Sequence, residues 1–213
     1  MSALRRVGVL GDVHAEDQFV EIALERFAAV GVDRVLCVGD IVDGSGSVSR
    51  CCALLATAEA LVVRGNHERW FLKNALRDLP NATQPADVDP SALAFLASLP
   101  ASCVLPTIAG PLLLCHGLGD DDMNRLLPDD FGYALSANDA LRALIESRDV
   151  AFVINGHTHR RMVRKFEPLT VINAGTLARD HEPGFVVVDF EARHAEFYDL
   201  ATDEVALSET VAF

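Results

Sequence analysis

The first third of the chain alternates short apolar runs with segments of helical period. Residues 7–10, 34–38 and 61–63 have the length and Val/Leu content of buried parallel strands. Between the first two, Phe19, Ile22, Ala23, Phe27 and Val30 recur at helical spacing, with Asp17 as candidate cap and Gly31 as the stop. A second helix is expected over 48–58, which gives β-α-β-α-β at about 25–30 residues per repeat, the size of a right-handed crossover unit. The ends of these strands must then lie side by side.

After a Pro-punctuated middle with a helix over 91–99, the pattern changes. Residues 102–108 and 112–115 flank the turn Ala109-Gly110-Pro111 and read as a hairpin. A helix over 137–147 and strands over 150–154, 161–166, 170–172, 185–190 and 195–200 follow. The sum is an α/β fold, two packed mixed β-sheets flanked by helices in a four-layer α-β-β-α sandwich. No linker, repeat or low-complexity stretch divides it, so residues 1–213 are expected to form a single domain.

Composition narrows the function. The 18 Lys+Arg against 31 Asp+Glu give a formal charge of −13, which excludes a nucleic-acid binder driven by bulk positive charge. With 50% hydrophobic residues the chain can bury a full core and is not disordered. No apolar run approaches the ~18 residues of a membrane span, and the N-terminus turns polar too soon for a signal peptide, so the expected location is cytoplasmic, with no membrane partner. Cys37, Cys51, Cys52, Cys103 and Cys115 show no Cys-X-X-Cys spacing and read as small hydrophobes rather than zinc ligands or disulfides. The acidic stretch 117–132 reads as a solvated surface loop in preference to an active-site lid. The basic cluster Arg160, Arg161, Arg164 and Lys165 reads as a solvated hairpin.

The ends of the expected strands collect polar residues of a restricted kind: Gly11-Asp12-Val13-His14, Gly39-Asp40-Ile41-Val42-Asp43, Gly65-Asn66-His67-Glu68, His116-Gly117 and Asn155-Gly156-His157-Thr158-His159. A single such residue would be a cap or a satisfied polar group. Five places with glycine beside each are hard to explain by chance. Asp, Asn and neutral imidazole suit Mn, Fe, Zn, Ni or Co, and no thiolate is needed. In Asp12-Val13-His14 and His157-Thr158-His159, residues i and i+2 face the same side if the backbone is extended. Donors suffice for two ions, a carboxylate such as Asp40 could bridge them, and a water between them would be the nucleophile in attack on a phosphoryl group.

This ordered set resembles the calcineurin-like metallophosphoesterases, closest in size and motifs to the small bacterial phosphodiesterases, and every element of that family's pattern falls in order between positions 11 and 159. The resemblance implies a dinuclear, metal-dependent hydrolase of phosphodiesters, with monoesters as further substrates, acting by in-line attack of a hydroxide bridging the ions. It implies that Asp12, His14, Asp40 and His159 hold one divalent ion, Mn foremost, and that Asp40, Asn66, His116 and His157 hold the other. His67 is then the general acid and Asp43 its orienting carboxylate. Asn66 and Arg69 are candidate substrate-binding groups, and Asn173-Ala174-Gly175-Thr176 is given a packing role. The chain departs from the family at Ala15, where Gly commonly stands, and from the Ser/Thr protein phosphatases at Asp43-Gly44-Ser45.

The expected partner is a small phosphorylated substrate, a nucleotide among the candidates. A diadenosine polyphosphate hydrolase or a Ser/Thr protein phosphatase is the alternative. A protein-binding scaffold of the same fold is the rival class, disfavoured by the intact His67 and ligand set.

Overall fold

In β1 (Arg6–Leu10), Val7 and Val9 face one side of a sheet and Gly8 and Leu10 the other, and both faces are buried. The layers follow from that alternation. Val7 and Val9 belong to an apolar cluster shared with a second sheet, whereas Leu10 packs against helices.

The computed structural model describes residues 2–201 and 204–213. Among these, β1 is followed by α1 (Asp17–Val30), β2 (Arg34–Cys37), α2 (Val48–Thr57), β3 (Leu61–Val62), α3 (Asn66–Leu72), α4 (Pro90–Ser98), β4 (Ser102–Thr107) and β5 (Gly110–Cys115). Then come α5 (Tyr133–Ser136), α6 (Asp139–Ser147), β6 (Phe152–Asn155), β7 (Met162–Phe166), β8 (Leu169–Asn173), β9 (Gly184–Asp189), β10 (His194–Ala201) and β11 (Glu204–Ala212). One sheet has the order β11-β10-β9-β1-β2-β3 and the other β4-β5-β6-β8-β7. Helices α1, α2 and α4 cover the first, and α6 covers the second. The result is the four-layer α/β sandwich with two mixed sheets. No helix is long and apolar enough to cross a membrane among the described residues.

Within the sheets, β1, β2 and β3 are parallel to one another, as are β5, β6 and β8. Parallel pairing sends their C-terminal ends to a common edge, the usual place for a ligand in an α/β fold. All five polar clusters read from the sequence follow such ends.

Gly8 lets α1 approach β1, because a Cβ there would fall inside the Phe27 ring, which itself stands edge-on to Phe185 at 5.0 Å. Gly8→Ala is expected to cost about 1–3 kcal/mol through overpacking. A matching fall in the urea midpoint, partly recovered by adding Phe27→Leu, would check it.

Several local expectations change. Asp17 does not cap α1: Glu16 holds that position, and the Asp17 carboxylate instead accepts from the Ser47 N–H and Arg50. The Gly-Asn-His-Glu run after β3 opens α3, a helix that the sequence pattern did not predict. β11 was not anticipated, since its residues are mostly exposed and lack the apolar alternation that marks a half-buried strand. The basic cluster is not simply solvated. Arg161 bonds Asp199 and the Pro183 carbonyl, Arg160 reaches Asp129, and Arg164 donates to the Leu127 carbonyl. The last two hold the acidic stretch 117–132, which is itself anchored by the buried Leu118 and Leu126.

Candidate metal centre

Three loops from the first sheet and two from the second meet at the common edge. The loop after β1 is bound to the loop after β2 through the Val13 and His14 N–H groups, both donating to the Asp40 carbonyl. The loop after β6 is bound to β1 by the His157 N–H, which donates to Asp12 Oδ1 at 3.1 Å. Asn173 donates to the Gly156 carbonyl and, with Gly175 and Thr176, wraps the back of the cluster, which is a packing role.

The backbone does not stay extended here. His14, Asp40, Asp43, His157 and His159 have φ of 46°, 48°, 64°, 66° and 58°. The expectation that the Asp-X-His and His-X-His pairs share a side through strand alternation therefore fails, because the chain has already turned. The pairs converge through left-handed turns that cost non-glycine residues about 1–3 kcal/mol each, strain of the kind concentrated at functional sites. Glycine serves close approach instead: a Cβ at Gly65 would collide with the Asp40 carboxylate, and one at Gly156 with that of Asp12.

The donors fall into two groups. His14 Nε2 and His159 Nε2 are 3.1 Å apart, and His159 Nε2 lies 3.2 Å from Asp12 Oδ2. Asn66 Oδ1 lies 2.8 Å from His116 Nε2 and 3.0 Å from His157 Nδ1, and His116 Nε2 is 3.2 Å from Asp40 Oδ2. Asp40 also joins two clusters of possible ligand atoms, Asp12-Asp40-His116 and His14-Asp40-His67, each within 4.8 Å.

These groups fit a divalent cation. His116 Nδ1 donates to the Val38 carbonyl and His14 Nδ1 to the Asp43 carbonyl, which leaves both Nε2 lone pairs aimed at the cluster. Asp12 Oδ2 is buried and without a hydrogen-bond partner, its approach to His159 lacking hydrogen-bond geometry. Lone pairs facing lone pairs are stable only around a positive charge. The titration of the bare donors shows the same demand. Burial lifts the Asp12 carboxyl to about 7. At His116 burial opposes protonation, but the Asp40 charge prevails and raises the imidazole to about 10. His159 is driven down to about 3 by burial and by His14. A divalent ion at about a hundred times its Kd is expected to raise the Tm by roughly 5–10 °C over chelated protein, since it binds only the folded state. Equal melting curves with and without chelator would count against the fit.

His67 stands at the edge of the cluster. Its Nδ1 is 2.7 Å from Asp43 Oδ2, and its Nε2 is 4.0 Å from Asp40 Oδ2. Burial favours neutral His67, but the Asp43 hydrogen bond and the Asp40 charge outweigh it and raise the pKa. Asp43 in turn is clamped by Arg77 at 2.7 and 3.0 Å and by the Thr83 N–H. Neither Arg77 nor Thr83 was singled out in the sequence, because they lie in a stretch without periodicity or motif. Glu68 has no assigned role in the sequence pattern beyond membership of the Gly-Asn-His-Glu run. It is fully buried, and its carboxylate accepts from the N–H groups of Gly65, Asp40, Ile41 and Val42.

Arg69 is already engaged: its guanidinium makes two bonds, 2.6 and 2.7 Å, to Asp122 of the acidic loop. The expectation of a free phosphate-binding arginine thus meets a competing carboxylate.

A buried carboxylate, Asp40, thus stands between two groups of imidazole, carboxylate and amide donors at the shared edge of a two-sheet α/β sandwich. A family model described as a calcineurin-like phosphoesterase superfamily domain matches residues 6–193, and the chain belongs to that superfamily. Among solved structures, a metallophosphoesterase from Sphaerobacter thermophilus is similar at TM-score 0.71 and 20% identity, over 94% of this chain and 89% of that one. Wild-type Vps29 from Entamoeba histolytica, solved with zinc, is similar at TM-score 0.59 and 19% identity, over 97% and 98%. An archaeal phosphodiesterase is similar at TM-score 0.57 and 17% identity, over 92% and 99%. These likenesses show the shared fold. No curated protein sequence matches the chain.

Proposed function

We propose that residues 1–213 form one domain that hydrolyses small phosphodiesters with two divalent ions, Mn being the first to try and Fe, Zn, Ni or Co the others. Asp12, His14, Asp40 and His159 would hold one ion, and Asp40, Asn66, His116 and His157 the other. Such ions, when bound, supply Lewis acidity toward the phosphoryl oxygens and lower the pKa of the attacking water.

The observation that carries this reading is the His67–Asp43 pair at the rim of the donor cluster. Asp43 fixes the ring through Nδ1, and Nε2 is left to donate a proton to the departing oxygen. A scaffold would have no use for an imidazole clamped in this way beside the donor cluster. Arg69 acts in this reading through the loop it holds, and Asn66 would face its ion through the Oδ1 that lies beside His116 and His157.

Room for two ester arms favours a diester over a monoester. One cavity of about 380 Å³ is lined by His67, His14 and His159, and a second of about 870 Å³ is lined by His159 and Arg161. The test is a panel of phosphodiesters, monoesters and dinucleoside polyphosphates against a metal series. The expected result is Mn-stimulated turnover of diesters, abolished by chelator and by Asp40→Asn. Absence of turnover with every metal would overturn the reading, and faster cleavage of dinucleoside polyphosphates would transfer it to that class.

A further inference from the structure

Half of the lining of the cavity beside His67 comes from two segments outside every motif, and the rest comes from the site itself, His14, Asp43, His67 and His159 among it. Leu79, Pro80 and Asn81 line it from the stretch after α3, and Arg179, Asp180 and His181 line it from the stretch after β8. Both are fastened to the site itself. Arg77 and Thr83, at either side of the first segment, bind Asp43, and Arg77 also donates to the Thr83 carbonyl, so the segment is looped onto the partner of His67. In the second, Arg179 bonds Glu16 at 2.7 Å and Gln18 at 3.1 Å and stacks over Phe19 at 4.1 Å. His181 stands edge-on to His159, with ring centroids 4.6 Å apart, and its side chain is 48% exposed. The cavity is therefore held in shape before anything enters it, and its volume of about 380 Å³ lies within the range of small-ligand sites.

We propose that this cavity is the leaving-group subsite and that it selects a neutral, flat organic alcohol, such as a nucleoside or a phenol, over an anionic leaving group. The inference rests on His67 as the acid. In hydrolysis the bond from phosphorus to the attacking water oxygen forms as the bond to the ester oxygen breaks, and that oxygen takes the proton of His67 Nε2. The group it carries must then lie on the His67 side. There Leu79 and Pro80 supply apolar contact, His181 a ring to stack on, and Asn81 an amide that can pair with a polar ring edge.

Charge makes the choice. The lining has one arginine, and Arg179 is already neutralised by Glu16. Asp43 is likewise matched by Arg77, and Asp180, with 85% of its side chain exposed, has only His181 Nε2 near it among the described residues, at 3.9 Å. A leaving group that brings its own phosphate or carboxylate finds no unpaired guanidinium and meets a like charge. This disfavours a dinucleoside polyphosphate, whose departing half is itself an anion.

The test uses the full chain and two esters: methylumbelliferyl methyl phosphate, and its analogue with a carboxylate on the coumarin remote from the phenolic oxygen. With Mn, the neutral ester is expected to show about tenfold or more higher kcat/KM. In a separate arm without turnover, binding of methylumbelliferone is followed by its fluorescence anisotropy. His181→Ala and Asn81→Ala, both at exposed positions, are each expected to weaken that binding about three- to tenfold, the effect of losing one ring contact or one polar contact. The subsite is overturned if neither substitution changes binding, or if the charged ester is cleaved as fast as the neutral one. Failure of every ester with every metal would instead remove the reading of the chain as a hydrolase, while the binding arm still decides whether the cavity takes a neutral ring.

Discussion

His67→Asn is expected to lower turnover of alkyl and nucleoside diesters by about 10²- to 10⁴-fold while leaving the metal content near that of the wild type. Asn can still occupy the space beside Asp43, which remains clamped by Arg77 and Thr83. It cannot deliver a mobile proton. Esters with a leaving group as good as nitrophenolate need little protonation, so their loss should be much smaller. Elemental analysis and a leaving-group series check both halves. The geometry makes this a real contest, because His67 also falls in one cluster of possible ligand atoms with His14 and Asp40. Loss of metal, or an equal loss on every ester, would make His67 a ligand or a general electrostatic contributor.

The second large effect is expected at Glu68, which touches no substrate. Its two oxygens receive four backbone N–H groups, including those of Asp40 itself and of Gly65 after the neighbouring strand β3. Glu68→Gln keeps the shape but turns an acceptor into an NH₂ that points at N–H groups. With one to two buried donors left unpaired at about 1–3 kcal/mol each, the loss should reach about 3 kcal/mol, and the loop that carries Asp40 should lose its position. A lower urea midpoint together with reduced metal content is the expected readout. A variant with the wild-type midpoint and full metal would show that the loop is held by its own turns.

The sheets were legible because both faces of β1, β2 and β6 are buried, so their residues form unbroken apolar runs that end abruptly in glycine and a polar group. That the segments carrying Asp12, Asp40 and Asn66 meet at one edge followed from parallel pairing. What the text hid were contacts with no period. Arg77 reaches Asp43 across 34 positions, and Arg179 reaches Glu16 across 163. Spacing gives no warning of either. The same holds for β11, where an exposed edge strand has no face to hide, and for the left-handed turns at His14 and His157, which alternation rules treat as straight chain. Arg69 shows the opposite limit, since its chemistry was visible in the sequence but its carboxylate partner was not.

Because Asp12, His14, Asp40 and Asn66 come from one sheet and His116, His157 and His159 from the other, the centre is also the seam of the sandwich, already stitched by the bond from His116 to the Val38 carbonyl. An ion held there would act as a rivet between the two halves of the molecule. Repacking of the buried layer between the sheets, around Phe152 for instance, would then change the spacing of the donors without touching one of them. Variants selected for tighter packing in that layer should drift in metal preference, and catalytic tuning in this architecture can come from residues that never meet the substrate.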